Sequence, residues 1–127
     1  MKILIADDEL IMLKIIELRL KKDGHQVIVT SNGQEALEQI KLQDPDMIIA
    51  DIMMPFTSGL EIVSVVKQNN TYRKVPIIIL SSMGQENVVL EAFKLGADDY
   101  ITKPFSPNEL SMRVKRLAPV VNSFSQG

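Results

Sequence analysis

Four short stretches hold the residue types able to do chemistry: Asp7-Asp8-Glu9, Asp51, Ser81-Ser82 and Lys103-Pro104. Each comes at the end of a short apolar, β-branched run: KILIA, DMIIA, VPIIIL and YIT. Taken singly, each has an ordinary explanation. Asp8 or Glu9 favours the positive end of a following helix. Asp51 starts a loop, Ser82 caps a helix, and Lys103 is a solvated lysine before a turn proline. Taken together, the ordinary explanations weaken. Two adjacent acids and a third on a neighbouring strand repel one another and need a counter-charge. A hard divalent cation such as Mg2+ supplies it through oxygen ligands, and Lys103 supplies a second positive charge.

Two kinds of segment must position these residues. Strands are expected at 2–6, 26–30, 46–50, 75–80 and 100–102, because continuous apolar runs of this length suit strands buried on both faces. Amphipathic segments between them predict helices at 9–22, 33–42, 59–69, 85–95 and 107–118. Their starts carry capping signatures: Asn32 with Glu35, Ser58 with Glu61, and Ser106 with Pro107 and Glu109. Gly24 and Gly96 stop two of them. Strand and helix alternate five times, which predicts an α/β, doubly wound parallel sheet with helices on both faces. In such sheets sites form outside the carboxyl ends of the strands, where the four stretches lie. Residues 1–118 are expected to form one domain, and 119–127 (PVVNSFSQG) a tail or the start of a linker.

Composition narrows the function. The 127 residues contain no cysteine, which excludes disulfide frameworks, thiolate metal sites and cysteine nucleophiles. A net charge of −2 argues against nucleic-acid binding by this domain. No apolar run is long enough to span a bilayer and no signal peptide is visible, so a cytoplasmic location without membrane contact is expected.

These residues carry a family resemblance. The chain resembles a response-regulator receiver domain of bacterial two-component signalling, of the chemotaxis-receiver type, over about residues 2–118. The matching residues are Asp7-Asp8, Asp51, Met54-Pro55 with Gly59, Ser81, Tyr100 and Lys103-Pro104-Phe105. The resemblance implies a flavodoxin-like sheet of order 2-1-3-4-5 with five helices. It implies that Asp51 is the phosphoacceptor, taking a phosphoryl group from a sensor histidine kinase or a phosphotransfer protein. Asp7, Asp8, Asp51 and the Met53 backbone carbonyl would hold Mg2+, Asp7 through a water. Ser81 and Lys103 would bind the phosphoryl group. Ser81 and Tyr100 would switch the face made by the fourth helix, fifth strand and fifth helix, which controls an output protein or domain. The Lys103–Pro104 bond is expected to be cis. Met53 and Met83 would flank the attacking water and lengthen the phosphoryl lifetime, since a thioether cannot hold a water. The domain would signal rather than act as an enzyme, beyond its own phosphotransfer and autodephosphorylation. A monomer or phosphorylation-dependent dimer fits.

Competing readings meet obstacles. A haloacid-dehalogenase-type phosphatase needs a general acid where Met53 stands. Flavin or nucleotide binding needs a phosphate loop, and the acidic first loop has no glycine-rich pattern. A pseudo-receiver, working without phosphorylation, is the remaining alternative. Elsewhere, His25 is expected as a solvated turn residue, Lys21-Lys22 as a solvated helix end, and the seven methionines as core filler. Between Leu10 and Lys22, eight of thirteen residues are apolar, more than a core stripe needs. The excess is expected to be exposed at the helix flanks, as a patch for the kinase.

Overall fold

The computed structural model describes residues 1–118; the expected tail, 119–127, lies outside the described residues. Five strands and five helices alternate: β1 (Lys2–Ala6), α1 (Leu10–Lys22), β2 (Gln26–Thr30), α2 (Gly33–Gln43), β3 (Met47–Asp51), α3 (Gly59–Gln68), β4 (Ile77–Ser81), α4 (Glu86–Leu95), β5 (Asp99–Thr102) and α5 (Pro107–Leu117). All strand pairs are parallel, in the order β2-β1-β3-β4-β5.

Side chains alternate across each strand, and here both faces are apolar. Ile3, Ile5, Ile49, Ile78 and Ile101 pack against Leu13, Ile16 and Leu20 of α1 and Leu110 and Val114 of α5. Leu4, Ala6, Ile48, Ala50 and Ile79 pack against Ile40 of α2, Ile62 and Val66 of α3, and Val89 of α4. The three expected capping residues act as such: Asn32, Ser58 and Ser106 accept from the backbone N–H groups of Glu35, Glu61 and Glu109.

Strand boundaries shift by one or two residues. β4 starts at Ile77 rather than 75, since Pro76 cannot donate to the ladder. It runs on to Ser81, which pairs with Thr102, while β3 includes Asp51, which pairs with Leu80.

Two sequence expectations need correction. Of the seven methionines, Met47 is fully buried and Met1, Met12 and Met54 pack partly buried against the core, but Met53, Met83 and Met112 are 56%, 83% and 72% exposed. Met53 and Met83 lie where the chain leaves the sheet, beyond the reach of either core layer. His25 is half-buried rather than solvated, its Nδ1 3.2 Å from the Met1 amino group. Burial, and then the neighbouring ammonium, hold its pKa below the usual histidine range. The expected apolar excess on α1 is exposed: Leu10, Ile11, Ile15 and Leu18 face solvent. Ile11, Ile15 and Leu18 recur at i, i+4 and i+7, a stripe opposite the core-facing Leu13, Ile16 and Leu20.

Candidate functional site

The sheet grows leftwards from β1 to β2 and rightwards from β1 to β3, so the winding reverses between β1 and β3. A crevice opens outside the strand ends at such a point. Asp7 and Asp8 follow β1 there, and Asp51 ends β3. Parallel register makes them neighbours, since Ala6 stands opposite Ala50. One carboxylate oxygen from each of Asp7, Asp8 and Asp51 lies within 4.8 Å of the others. Asp7 is at 0% and Asp51 at 7% exposure, while Asp8 is open to solvent.

The backbone holds these carboxylates in place. The Glu9 N–H donates to Asp7 Oδ1 at 2.9 Å, and the Met53 N–H donates to Asp51 Oδ1 at 3.1 Å. Gly59 lets α3 begin against the strand end: a Cβ there would collide with the Asp51 carbonyl oxygen.

Lys103 follows β5, the edge strand two places from β3. Its backbone N–H donates to the Ser81 carbonyl at 2.6 Å, and its bond to Pro104 is cis. The ammonium lies 2.8 Å from Asp7 Oδ2, 2.8 Å from Glu9 Oε1 and 2.9 Å from Asp51 Oδ2. Its directed hydrogen bonds go to Glu9 and Asp51. Asp7 Oδ2 is buried, and the Lys103 ammonium is its close charged partner. Burial pushes the Asp7 carboxyl up, against the opposing pull of Lys103. Burial also disfavours the Lys103 charge, but Asp7, Glu9 and Asp51 outweigh it and raise the lysine above its ordinary range.

A donor set made only of carboxylate oxygens, one from each of three aspartates within 4.8 Å, fits a hard divalent cation. Softer metals would want nitrogen or sulfur ligands.

Ser81 is buried at the end of β4, one residue beyond the Leu80 that pairs with Asp51. Past it lies a cavity of about 440 Å³ between α4 and the β4–β5 edge, lined among others by Ser81, Val89, Phe93, Tyr100 and Thr102. The Tyr100 side chain is 41% exposed. Met53 and Met83 stand exposed at the mouth of the crevice loops.

Three features escaped sequence reasoning. Glu9, at the N-cap of α1, is also a partner of Lys103, 94 residues away in the chain. Phe93 meets Tyr100 edge-on, with ring centroids 5.8 Å apart and planes at 89°. Phe56, in the loop after β3, is 86% exposed with φ 68°. No local signal marks any of them, although an acid that follows two site acids is a fair candidate for the site's cation.

A family model described as response regulator receiver domain matches residues 3–115. The chain is 38% identical over 116 residues to the alkaline phosphatase synthesis transcriptional regulatory protein PhoP of Bacillus subtilis, covering 91% of this chain and 48% of that protein. It is 41% identical over 113 residues to the phosphate regulon transcriptional regulatory protein PhoB of Pseudomonas aeruginosa, covering 89% of this chain and 49% of that protein. The chain thus spans about half the length of these curated relatives. Among solved structures, the chemotaxis response regulator CheY4 of Vibrio cholerae superposes with a TM-score of 0.86 at 29% identity, covering 91% of this chain and 97% of that one. The receiver domain of the Francisella response regulator 1452 superposes with a TM-score of 0.83 at 36% identity, covering 91% and 94%.

Proposed function

The chain belongs to the response regulator receiver domains, and from that premise we propose that Asp51 accepts a phosphoryl group, with Mg2+ as cofactor, from a sensor histidine kinase or phosphotransfer protein. The observation that carries this reading is the crevice itself. It combines a nearly buried carboxylate, two further acids within 4.8 Å, and a lysine reaching Asp51 at 2.9 Å.

An Asp51 carboxylate oxygen attacks phosphorus and forms an acyl phosphate, while the donor's nitrogen leaves. Asp7, Asp8, Asp51 and the Met53 carbonyl are the proposed cation ligands. Mg2+ there would neutralise charge on the transferring phosphoryl oxygens. Lys103 neutralises a further oxygen, and exchanges one of its carboxylate partners for it. The exposed α1 stripe of Ile11, Ile15 and Leu18 runs down from the crevice and offers the donor an apolar landing face.

Phosphorylation biases a two-state element. The Ser81 hydroxyl bonds a phosphoryl oxygen, the β4–α4 loop follows, and Tyr100 turns from its outward position into the cavity beside Ser81. The α4–β5–α5 face then contacts an output protein or domain. Met53 and Met83 leave the attacking water unheld, which favours slow loss of the phosphoryl group. Residues 1–118 are the proposed unit, and 119–127 a connection onwards.

Titration of the protein with beryllofluoride and Mg2+, a phosphoryl mimic, tests this. Wild type should bind and Asp51→Asn should not. A wild-type chain that ignores the mimic would instead act without phosphorylation.

A further inference from the structure

We infer that Phe93 is a positioning residue that latches Tyr100 outward and so sets the affinity of the crevice for its phosphoryl group. The inference rests on the switch reading of Tyr100 and names what opposes the switch.

The geometry begins with spacing on α4. Val89 and Ala92 face the sheet and are buried, while Leu90 is 59% exposed. Phe93, one turn on from Val89, falls at the border and is 39% exposed. Its ring therefore lies along the rim of the cavity rather than in the core. Tyr100 stands across from it on β5, opposite Ile79 in register, and is 41% exposed. The two rings meet edge to face, at 5.8 Å and 89°, the arrangement that aromatic quadrupoles favour.

Beyond the pair, the cavity of about 440 Å³ leads from Phe93 and Tyr100 towards Ser81 and Thr102. Ser81 ends β4, two residues past the Ile79 opposite Tyr100. A Tyr100 ring that turns into this space moves towards the phosphoryl end and gives up its present edge-on packing against Phe93. The edge-to-face contact thus belongs to the outward state alone. Any contact made in only one of two states shifts the balance between them.

The magnitude follows from the contact type. An edge-to-face pair contributes about 0.5–1.5 kcal/mol beyond its burial, which is about a two- to tenfold change in an equilibrium constant. A ligand that needs the inward state binds more weakly by the fraction of molecules that are competent. Loosening the latch therefore tightens phosphoryl binding, although Phe93 does not touch the crevice.

The test is the affinity for beryllofluoride with Mg2+, measured by calorimetry on the intact chain. Phe93→Leu keeps an apolar side chain but removes the ring, and should bind about two- to tenfold tighter than wild type. Phe93→Tyr retains the ring and should bind as wild type does. In a Tyr100→Leu background the Phe93→Leu change should have no effect, because a merely structural role for Phe93 would act regardless of Tyr100. An unchanged affinity in Phe93→Leu, or a gain that persists without Tyr100, overturns the latch while leaving the phosphoacceptor reading intact. Failure of the wild-type chain to bind overturns both.

Discussion

Replacing Lys103 with methionine removes a positive charge and keeps most of the apolar stem. The ammonium it removes lies 2.8 Å from both Asp7 and Glu9 and 2.9 Å from Asp51. The three acids do not suffer equally. Glu9 is 59% exposed and turns into water, so its pair is worth little. Asp7 is at 0% and cannot. Stripping a buried charge of its partner costs about 3–5 kcal/mol. Protonation sets a ceiling on that cost. Neutralising a carboxyl whose unfolded pKa is about 3.9 costs about 1.36 kcal/mol per pH unit above it, so about 4 kcal/mol at pH 7 and about 1.5 kcal/mol near pH 5. The expected loss without Mg2+ is about 3–4 kcal/mol at pH 7, shrinking to about 1–1.5 kcal/mol near pH 5. The sign follows from Asp7, which burial already pushes up and which loses its main opposing partner. A carboxyl whose pKa is higher folded than unfolded makes the native state bind more protons. Stability then falls as pH rises above the unfolded value. The assay is urea unfolding followed by circular dichroism, in chelator at both pH values and again with saturating Mg2+, which should restore part of the loss. Equal midpoints for wild type and variant at both pH values would refute the reasoning.

Other perturbations probe separate parts of the account. The Met53→Asn, Met83→Glu double variant should lose its phosphoryl group faster than wild type after donor removal, as followed by intact-mass spectrometry; unchanged or slower decay means these side chains do not set the lifetime. Ile15→Glu and Leu18→Glu on α1, both exposed, should slow transfer from the kinase and spare labelling by acetyl phosphate; equal effects on both donors would make the stripe structural. Ser106→Ala removes the oxygen that accepts from Glu109 N–H at 3.1 Å. It should cost about 1 kcal/mol, a fall of about 4 °C in Tm, read by thermal unfolding.

The legible parts of the molecule were those written locally. Runs such as KILIA and DMIIA show strands buried on both faces, and Ser58 with Glu61 shows a helix start, because each signal and its consequence lie within a few residues. The acids at the strand ends were legible for the same reason, once the sheet was taken to be parallel. The strand order itself came from the family resemblance, since periodicity says which elements exist and not which are neighbours. What stayed hidden depends on distant partners. Glu9 looks like a helix-end acid and nothing more until the fold brings Lys103 across 94 positions. His25 looks solvated until Met1 arrives beside it. Phe93 looks like one more apolar helix residue until β5 sets Tyr100 against its ring. Met112 looks like core material because residue type alone does not say which face of a helix it falls on.

The central claim is that Asp51 takes up the phosphoryl group. Intact-mass spectrometry after incubation with acetyl phosphate and Mg2+ tests it most directly. Wild type should gain the mass of one phosphoryl group, lose it on mild alkaline treatment as an acyl phosphate does, and gain nothing when Mg2+ is chelated. Asp51→Asn should gain nothing under any of these conditions. Equal labelling of wild type and Asp51→Asn would contradict the account.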